Sequence, residues 1–252
     1  MSDFFLFICV GFAAQLVDGS IGMAYGLIGT STLFSMGIPP ATASASVHAA
    51  EVFTTAASGI SHWRFKNIDF KLVKRLAPAG MLGGFIGAYI LATHANILLN
   101  FLIACYLLVM GAIVLLRGMR KFSESRKPPQ HIPLLGFFGG MFDAIGGGGW
   151  GPMVNSNLMG QGTNPRIAIG TTSLSEFFVT ATISCTFLLT IGLELWPIIT
   201  GLIIGGVIAA TIAAYAAKRL PVRVLMIIVG IVIIILSART MLTTGLNIFQ
   251  SL

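Results

Sequence analysis

Charge is scarce in this chain. Asp, Glu, Lys and Arg make up 9% of its 252 residues, against about 25% in ordinary globular proteins. Hydrophobic residues make up 56%, and the mean hydropathy is +0.92. So few charges cannot cover a soluble surface, which excludes a soluble domain and makes the bilayer the expected solvent. Acids are scarcest: eight against fifteen bases, for a formal net charge of +7. In a membrane protein that excess reports loop orientation. The bases are not interleaved with aromatics on any polar stretch, so no nucleic-acid partner is expected. Cysteine is scarce too. Cys9, Cys105 and Cys185 lie far apart in apolar runs, with no CxxC pair and no Cys/His cluster. That pattern argues against a disulfide framework or a zinc site. Each is expected to be a small buried hydrophobe, and no metal or cofactor is expected. The start, Met-Ser-Asp-Phe-Phe, lacks a basic n-region and no A-x-A site follows, so no cleaved signal peptide is expected.

What the chain does have is apolar runs. They cover 4–17, 21–36, 41–62, 76–93 and 97–116, and then 133–145, 148–159, 167–191, 196–217 and 222–240. Runs of about 20 residues suit spanning helices. The first two of each set are shorter, which suits half-helices or a re-entrant hairpin. The expected fold is an all-α polytopic membrane protein. The one long polar stretch, RGMRKFSESRKPPQH at 117–131, reads as a cytoplasmic linker between a first repeat at 1–116 and a second at 132–252.

The repeat is visible by sliding the sequence on itself. At an offset of 125, residues 11–59 match 136–184 without a gap, with 14 identities in 49 positions. Chance on these frequencies gives about four. The matches include Asp18/Asp143, Gly22/Gly147, Gly26/Gly151, Pro40/Pro165, Glu51/Glu176 and Thr55/Thr180, and Tyr25 faces Trp150. Pro78/Pro197, Gly87/Gly206 and Gly111/Gly230 follow more weakly at 119. Lys and Arg cluster at 64–75, 117–127, 166 and 218–223. These regions should be cytoplasmic, which places both termini outside. Each half then crosses an odd number of times, and the second is inverted relative to the first. Arg239 fits this placement least well. Inverted repeats with broken helices are a transporter architecture whose site lies near the midplane.

Four of the eight acids, Asp18, Glu51, Asp143 and Glu176, fall inside apolar runs. An ionised carboxylate at mid-membrane costs about 2.5–3.5 kcal/mol, and four cost roughly ten if left uncompensated. They must be protonated, hydrogen-bonded to helix N-termini or paired with a cation. The bland role for the two aspartates is capping broken helices. Gly19, Gly22 and the run Gly146, Gly147, Gly148 and Gly149 follow them. Glycine there frees backbone N–H groups and lets a ligand approach, and the half-helix beyond offers a positive dipole end. For Gly84–Ala88 and Gly201–Gly206, tight helix packing is the expected role. Ser44, His48, Glu51 and Thr55 share one helical face, as do Ser173, Glu176 and Thr180. His48 reads either as a packed or capping histidine or as a proton relay or anion contact. Ser46, Thr171, Thr172 and Asn155 complete the candidate contacts, and Asn157 is a further amide donor. With Lys and Arg nearly absent from the apolar runs, an anionic cargo would be met by N–H groups, dipoles and hydroxyls.

The blocks GFAAQLVDGSIGMAYG, PPATASASVHAAEVFTT, GFFGGMFDAIGGGGWGP and NPRIAIGTTSLSEFF resemble the sulfite exporter (TauE/SafE) family over nearly the whole chain. The first half reads Asp-Gly-Ser-Ile-Gly-Met-Ala-Tyr-Gly where many relatives carry a glycine run. The resemblance implies an inner-membrane permease for sulfite or organosulfonate anions, not an enzyme, with the repeated loops and third helices forming the site. The partners to expect are a small anion and lipid, with a homo-oligomer compatible. The alternatives are a passive anion channel and an intramembrane aspartyl protease using Asp18 and Asp143. The protease lacks its Gly-x-Gly-Asp signature here.

Overall fold

The computed structural model describes residues 2–94, 96–119, 130–193, 195–216 and 222–250. Apart from Arg117–Met119, Gln130 and His131, the basic linker lies outside these residues, as do Lys218 and Arg219. All secondary structure described is helical. The first half contains α1 (Ser2–Ile21), α2 (Tyr25–Ser35), α3 (Pro40–Arg64), α4 (Phe70–Thr93) and α5 (Ile97–Met119). The second contains α6 (Ile132–Gly146), a π-helical stretch (Trp150–Asn155) running into α7 (Ser156–Gly160), then α8 (Pro165–Thr190), α9 (Trp196–Ala216) and α10 (Val222–Gln250).

Helix starts follow local chemistry. Pro40 and Pro165 occupy the first turns of α3 and α8, where a missing N–H costs nothing. α4 begins six residues before the apolar run at 76, because Asp69 accepts from the N–H groups of Lys71 (2.8 Å) and Leu72 (3.3 Å). α10 likewise runs ten residues past Thr240. Among the described residues four helices are long and apolar enough to cross a membrane: 70–93, 97–119, 165–190 and 223–246. α3 has the length, but a row of polar side chains makes it less apolar.

The halves exchange partners. α1 packs along α9 and α6 along α4, while α5 lies against α10 and α3 against α8. Glycines make the close contacts, as expected for helices associating without a hydrophobic drive. A Cβ on Gly136 would stand 2.7 Å from the Leu76 carbonyl oxygen, and one on Gly140 would meet that of Gly80. A Cβ on Gly11 would stand 2.5 Å from the Leu202 oxygen, and one on Gly205 would meet that of Ile8. From Gly136 to Gly140 the neighbours in α4 rise from Leu76 to Gly80, and from Gly201 to Gly205 those in α1 rise from Phe4 and Ile8 to Ile8 and Phe12, so α6 runs parallel to α4 and α1 parallel to α9. α6 and α4 start at the end that carries Arg64, Lys66, Lys71, Lys74, Arg75 and Arg166. α9 starts at the opposite end, so α1 does too.

The second half's opening segments form a hairpin. The backbone N–H of Gln130, before α6, donates to Oε1 of Gln161, after α7, at 2.5 Å. The chain therefore enters along α6, turns at Gly147, and returns to the same end. In the first half α1 and α2 pack on each other about a matching break at 22–24.

The cysteines depart from expectation. Cys9 and Cys185 are exposed on the outside of the bundle and Cys105 is half-buried. In a bilayer an apolar thiol is as well solvated by lipid as by protein, so nothing drives it inward.

Candidate functional site

Both breaks turn on a glycine in the left-handed region, Gly22 and Gly147, each with φ 68°. A β-carbon is disfavoured there. Just before each turn stands an aspartate. Asp143 Oδ1 accepts from the N–H groups of Gly149 (3.2 Å) and Trp150 (3.1 Å), so the entering helix caps the returning one. Asp18 Oδ1 stands 3.5 Å from the Tyr25 N–H in the same relation. Capping is thus done across the break, seven residues ahead, rather than at the aspartate's own helix start.

The two breaks touch. A Cβ on Gly147 would stand 2.5 Å from the carbonyl carbon of Gly26 and 2.8 Å from its Cα. Asn155 donates from Nδ2 to the Gly22 carbonyl at 2.9 Å, tying the returning arm to the other half. Tyr25 donates from its hydroxyl to the Leu202 carbonyl at 3.2 Å, and Trp150 from Nε1 to the Thr172 carbonyl at 3.0 Å. These repeat-related rings are buried and fix both half-helix starts against neighbouring helices.

α3 and α8 pass beside the crossing. Ser44 donates from Oγ to the Ala144 carbonyl at 2.6 Å. One turn on, His48 is fully buried, with Nδ1 2.8 Å from the Ser44 carbonyl and 3.1 Å from Ser44 Oγ. Its Nε2 stands 3.5 Å from Asp143 Oδ2 and 4.0 Å from Glu51 Oε2. Glu176, from the second half, lies within electrostatic range of Glu51, Asp18 and Asp143. The four acids of the apolar runs therefore share one buried centre to which both halves contribute.

Other expected contacts do not reach it free. Ser46 donates its hydroxyl to the Thr42 carbonyl (2.8 Å) and Thr172 to that of Ala168 (2.9 Å). Thr171 accepts from the Asp69 N–H (2.9 Å), at the turn before α4. Asn157 is exposed, accepting from Gln161. Gly19 precedes the break and remains within α1, while Gly146, Gly147 and Gly148 are buried at the turn. Gly84, Gly201 and Gly206 pack as expected: a Cβ on each would fall within 2.8 Å of Ile183, Phe7 and Thr54 respectively.

Two features escape a sequence reading. Tyr106 of α5 brings a buried hydroxyl, without a hydrogen-bond partner among the described residues, to 3.1 Å from where a Cβ on Gly148 would stand. Its signal is the single phenol in the otherwise apolar stretch 101–116 of α5. The other is the grouping of His48 and Glu51 with Asp143. No metal was expected, yet these are three metal-type ligands drawn together from both halves.

The sequence matches the sulfite exporter TauE/SafE family over residues 7–240. The chain belongs to that family. A similar protein is the probable membrane transporter YtnM of Bacillus subtilis (strain 168), 40% identical over 252 residues that cover 96% of this chain and 84% of the relative. No solved structure matches the chain. This TauE/SafE protein is accordingly a multi-pass membrane transporter. The glycine breaks that carried the sequence resemblance are the ones that meet at its centre.

Proposed function

We propose that this TauE/SafE protein is a secondary transporter for a small anion of the sulfite or organosulfonate class in a bacterial inner membrane. Its halves act as inverted repeats that expose one central site alternately to either side. The observation that carries this reading is the contact of the two glycine breaks, Gly26 against Gly147, beside Asp18, Glu51, Asp143 and Glu176. The opposite starting ends of α1 and α6 support the inverted sense. The clustering of described bases at one end supports a cytoplasmic face there and an outside N-terminus.

The binding chemistry follows from what surrounds the breaks. Arg117 donates one of its five N–H groups to the Pro152 carbonyl at 2.5 Å, which ties it to the returning arm rather than to the break at Gly147. An anion is met instead by backbone N–H groups at the half-helix start, their dipole, and the Tyr106 hydroxyl. Asp143 already holds two of those N–H groups. A bound anion competes with that carboxylate, so its occupancy is linked to the charge on the central acids. Glu51 and Glu176 carry that compensating charge.

The test is flux of sulfite and short sulfonates in proteoliposomes under an imposed pH gradient. Glu51→Gln or Glu176→Gln should cut gradient-driven flux roughly tenfold, the scale of one lost 1.4 kcal/mol interaction. Wild-type flux in both variants refutes the coupling role. Currents indifferent to the gradient would assign a channel instead.

A further inference from the structure

His48 poses a problem of hydrogen-bond arithmetic. Ser44 Oγ has a single proton, and the 2.6 Å bond to the Ala144 carbonyl uses it. Toward the imidazole, Ser44 Oγ and the Ser44 carbonyl are therefore both acceptors, at 3.1 and 2.8 Å from Nδ1. The proton of the neutral ring sits on Nδ1. Nε2 then presents a lone pair, and it points at two carboxylate oxygens. His48, Glu51 and Asp143 are 0%, 3% and 2% exposed, and Nε2, Oε2 and Oδ2 are each buried with no hydrogen-bond partner among the described residues. Three acceptor atoms face one another within 4.8 Å in a water-poor centre.

Something positive must stand between them. A proton held by Nε2 would draw a carboxylate oxygen to about 2.7–2.9 Å, and the nearest is at 3.5 Å. Gaps of 3.5, 4.0 and at most 4.8 Å leave room for an ion with bonds of roughly 2.0–2.2 Å. Two carboxylates and a neutral imidazole sum to minus two, which a divalent cation balances. An imidazole ligand favours zinc-like borderline ions over sodium, magnesium or calcium. An imidazole whose other nitrogen donates to a backbone carbonyl is the usual supporting arrangement around a metal.

We infer that His48 Nε2, Glu51 and Asp143 form a buried site for a borderline divalent cation of the zinc or cobalt class, shared between the two halves. Its repeat-related counterpart is Ser173, Glu176 and Asp18, in which a hydroxyl replaces the imidazole, so only one of the two positions is a site. Three protein ligands would leave a coordination position open, and the other oxygen of Asp143, Oδ1, accepts from the Gly149 and Trp150 N–H groups at the break. The ion thus supplies the positive charge that Lys and Arg do not. Its role in compensating the anion at Glu51 rests on the transport proposal, while its binding can be tested independently of transport.

The experiment uses full-length protein in detergent, carried on a histidine-free tag, stripped with EDTA and titrated with cobalt or zinc chloride. One ion per chain should bind. Tm should rise saturably, by roughly 5–10 °C at about a hundredfold excess over Kd, and cobalt should give a visible ligand-field band. His48→Ser, which copies the second half, and Glu51→Gln should each lose the band and the Tm rise, while Glu176→Gln keeps both. Absence of saturable binding in the wild-type protein, or stabilisation by sodium alone, overturns the site. So does an unchanged cobalt band in folded His48→Ser protein. If that variant does not fold, the wild-type titration decides. Failed anion flux with cobalt binding intact would count against the transport proposal alone.

Discussion

The crossing of the two breaks can be tested with one methyl group. In Gly147→Ala the new Cβ would stand 2.5 Å from the Gly26 carbonyl carbon and 2.8 Å from its Cα. Comfortable carbon contacts begin near 3.5 Å, so the half-helices must part by about 1 Å. Overpacking of that kind costs about 1–3 kcal/mol. The backbone φ of 68° adds about 1–2 kcal/mol for a residue with a Cβ. The sum is roughly 2–5 kcal/mol, or a Tm lower by about 5–15 °C at this chain length. Two controls separate the contributions. Gly37 has φ 88° and nothing within 4 Å of where a Cβ would stand, so Gly37→Ala carries only the backbone cost of about 1–2 kcal/mol. Gly160 is helical with open space around it, so Gly160→Ala should be neutral or stabilising by up to about 1 kcal/mol. Thermal melts of the three variants in one detergent give the ranking. A Gly147→Ala melt no lower than that of Gly37→Ala would refute the contact between breaks.

Tyr106→Phe removes an unpartnered hydroxyl, so stability should hold within about 0.5 kcal/mol while the anion Kd weakens roughly fivefold to tenfold; unchanged affinity by titration would remove Tyr106 from the site. Trp150→Phe deletes the Nε1 bond to the Thr172 carbonyl, which keeps its own partner within α8, so the loss should be about 0.5–1.5 kcal/mol, read as a lower Tm. Cys9→Ala and Cys185→Ala, at exposed positions, should stay within about 0.5 kcal/mol of wild type in thermal melts.

Helix order is legible in the sequence because apolar run length maps directly onto membrane span, and the breaks because Asp18, Gly22, Asp143 and Gly147 punctuate otherwise apolar runs. Whether the short segments span or return is not. Length allows both, and the bond between Gln130 and Gln161 decides for the second half. The repeat pairs Asp18 with Asp143 and Glu51 with Glu176 in sequence, but the fold exchanges them, setting Asp143 beside Glu51 and His48. Self-comparison finds equivalents, not neighbours. Ser46 and Thr172 look like site hydroxyls by position, yet helix hydroxyls readily bond the carbonyl one turn back, and these do. Cys9 and Cys105 misled because few polar residues around them mark which side meets lipid, whereas Cys185 lies opposite the Ser173, Glu176 and Thr180 face of α8, which does mark it.

The exchange of partners between α1 and α9, and between α4 and α6, bears on how the protein is made. The glycine face of α4 has no mate until α6 emerges from the ribosome some fifty residues later, and α1 waits for α9 nearly to the end of synthesis. Early helices must therefore linger near the insertion machinery, or in lipid with bare grooves, until their late counterparts arrive. A chain cut at the linker should mature only when both fragments are made together in one cell.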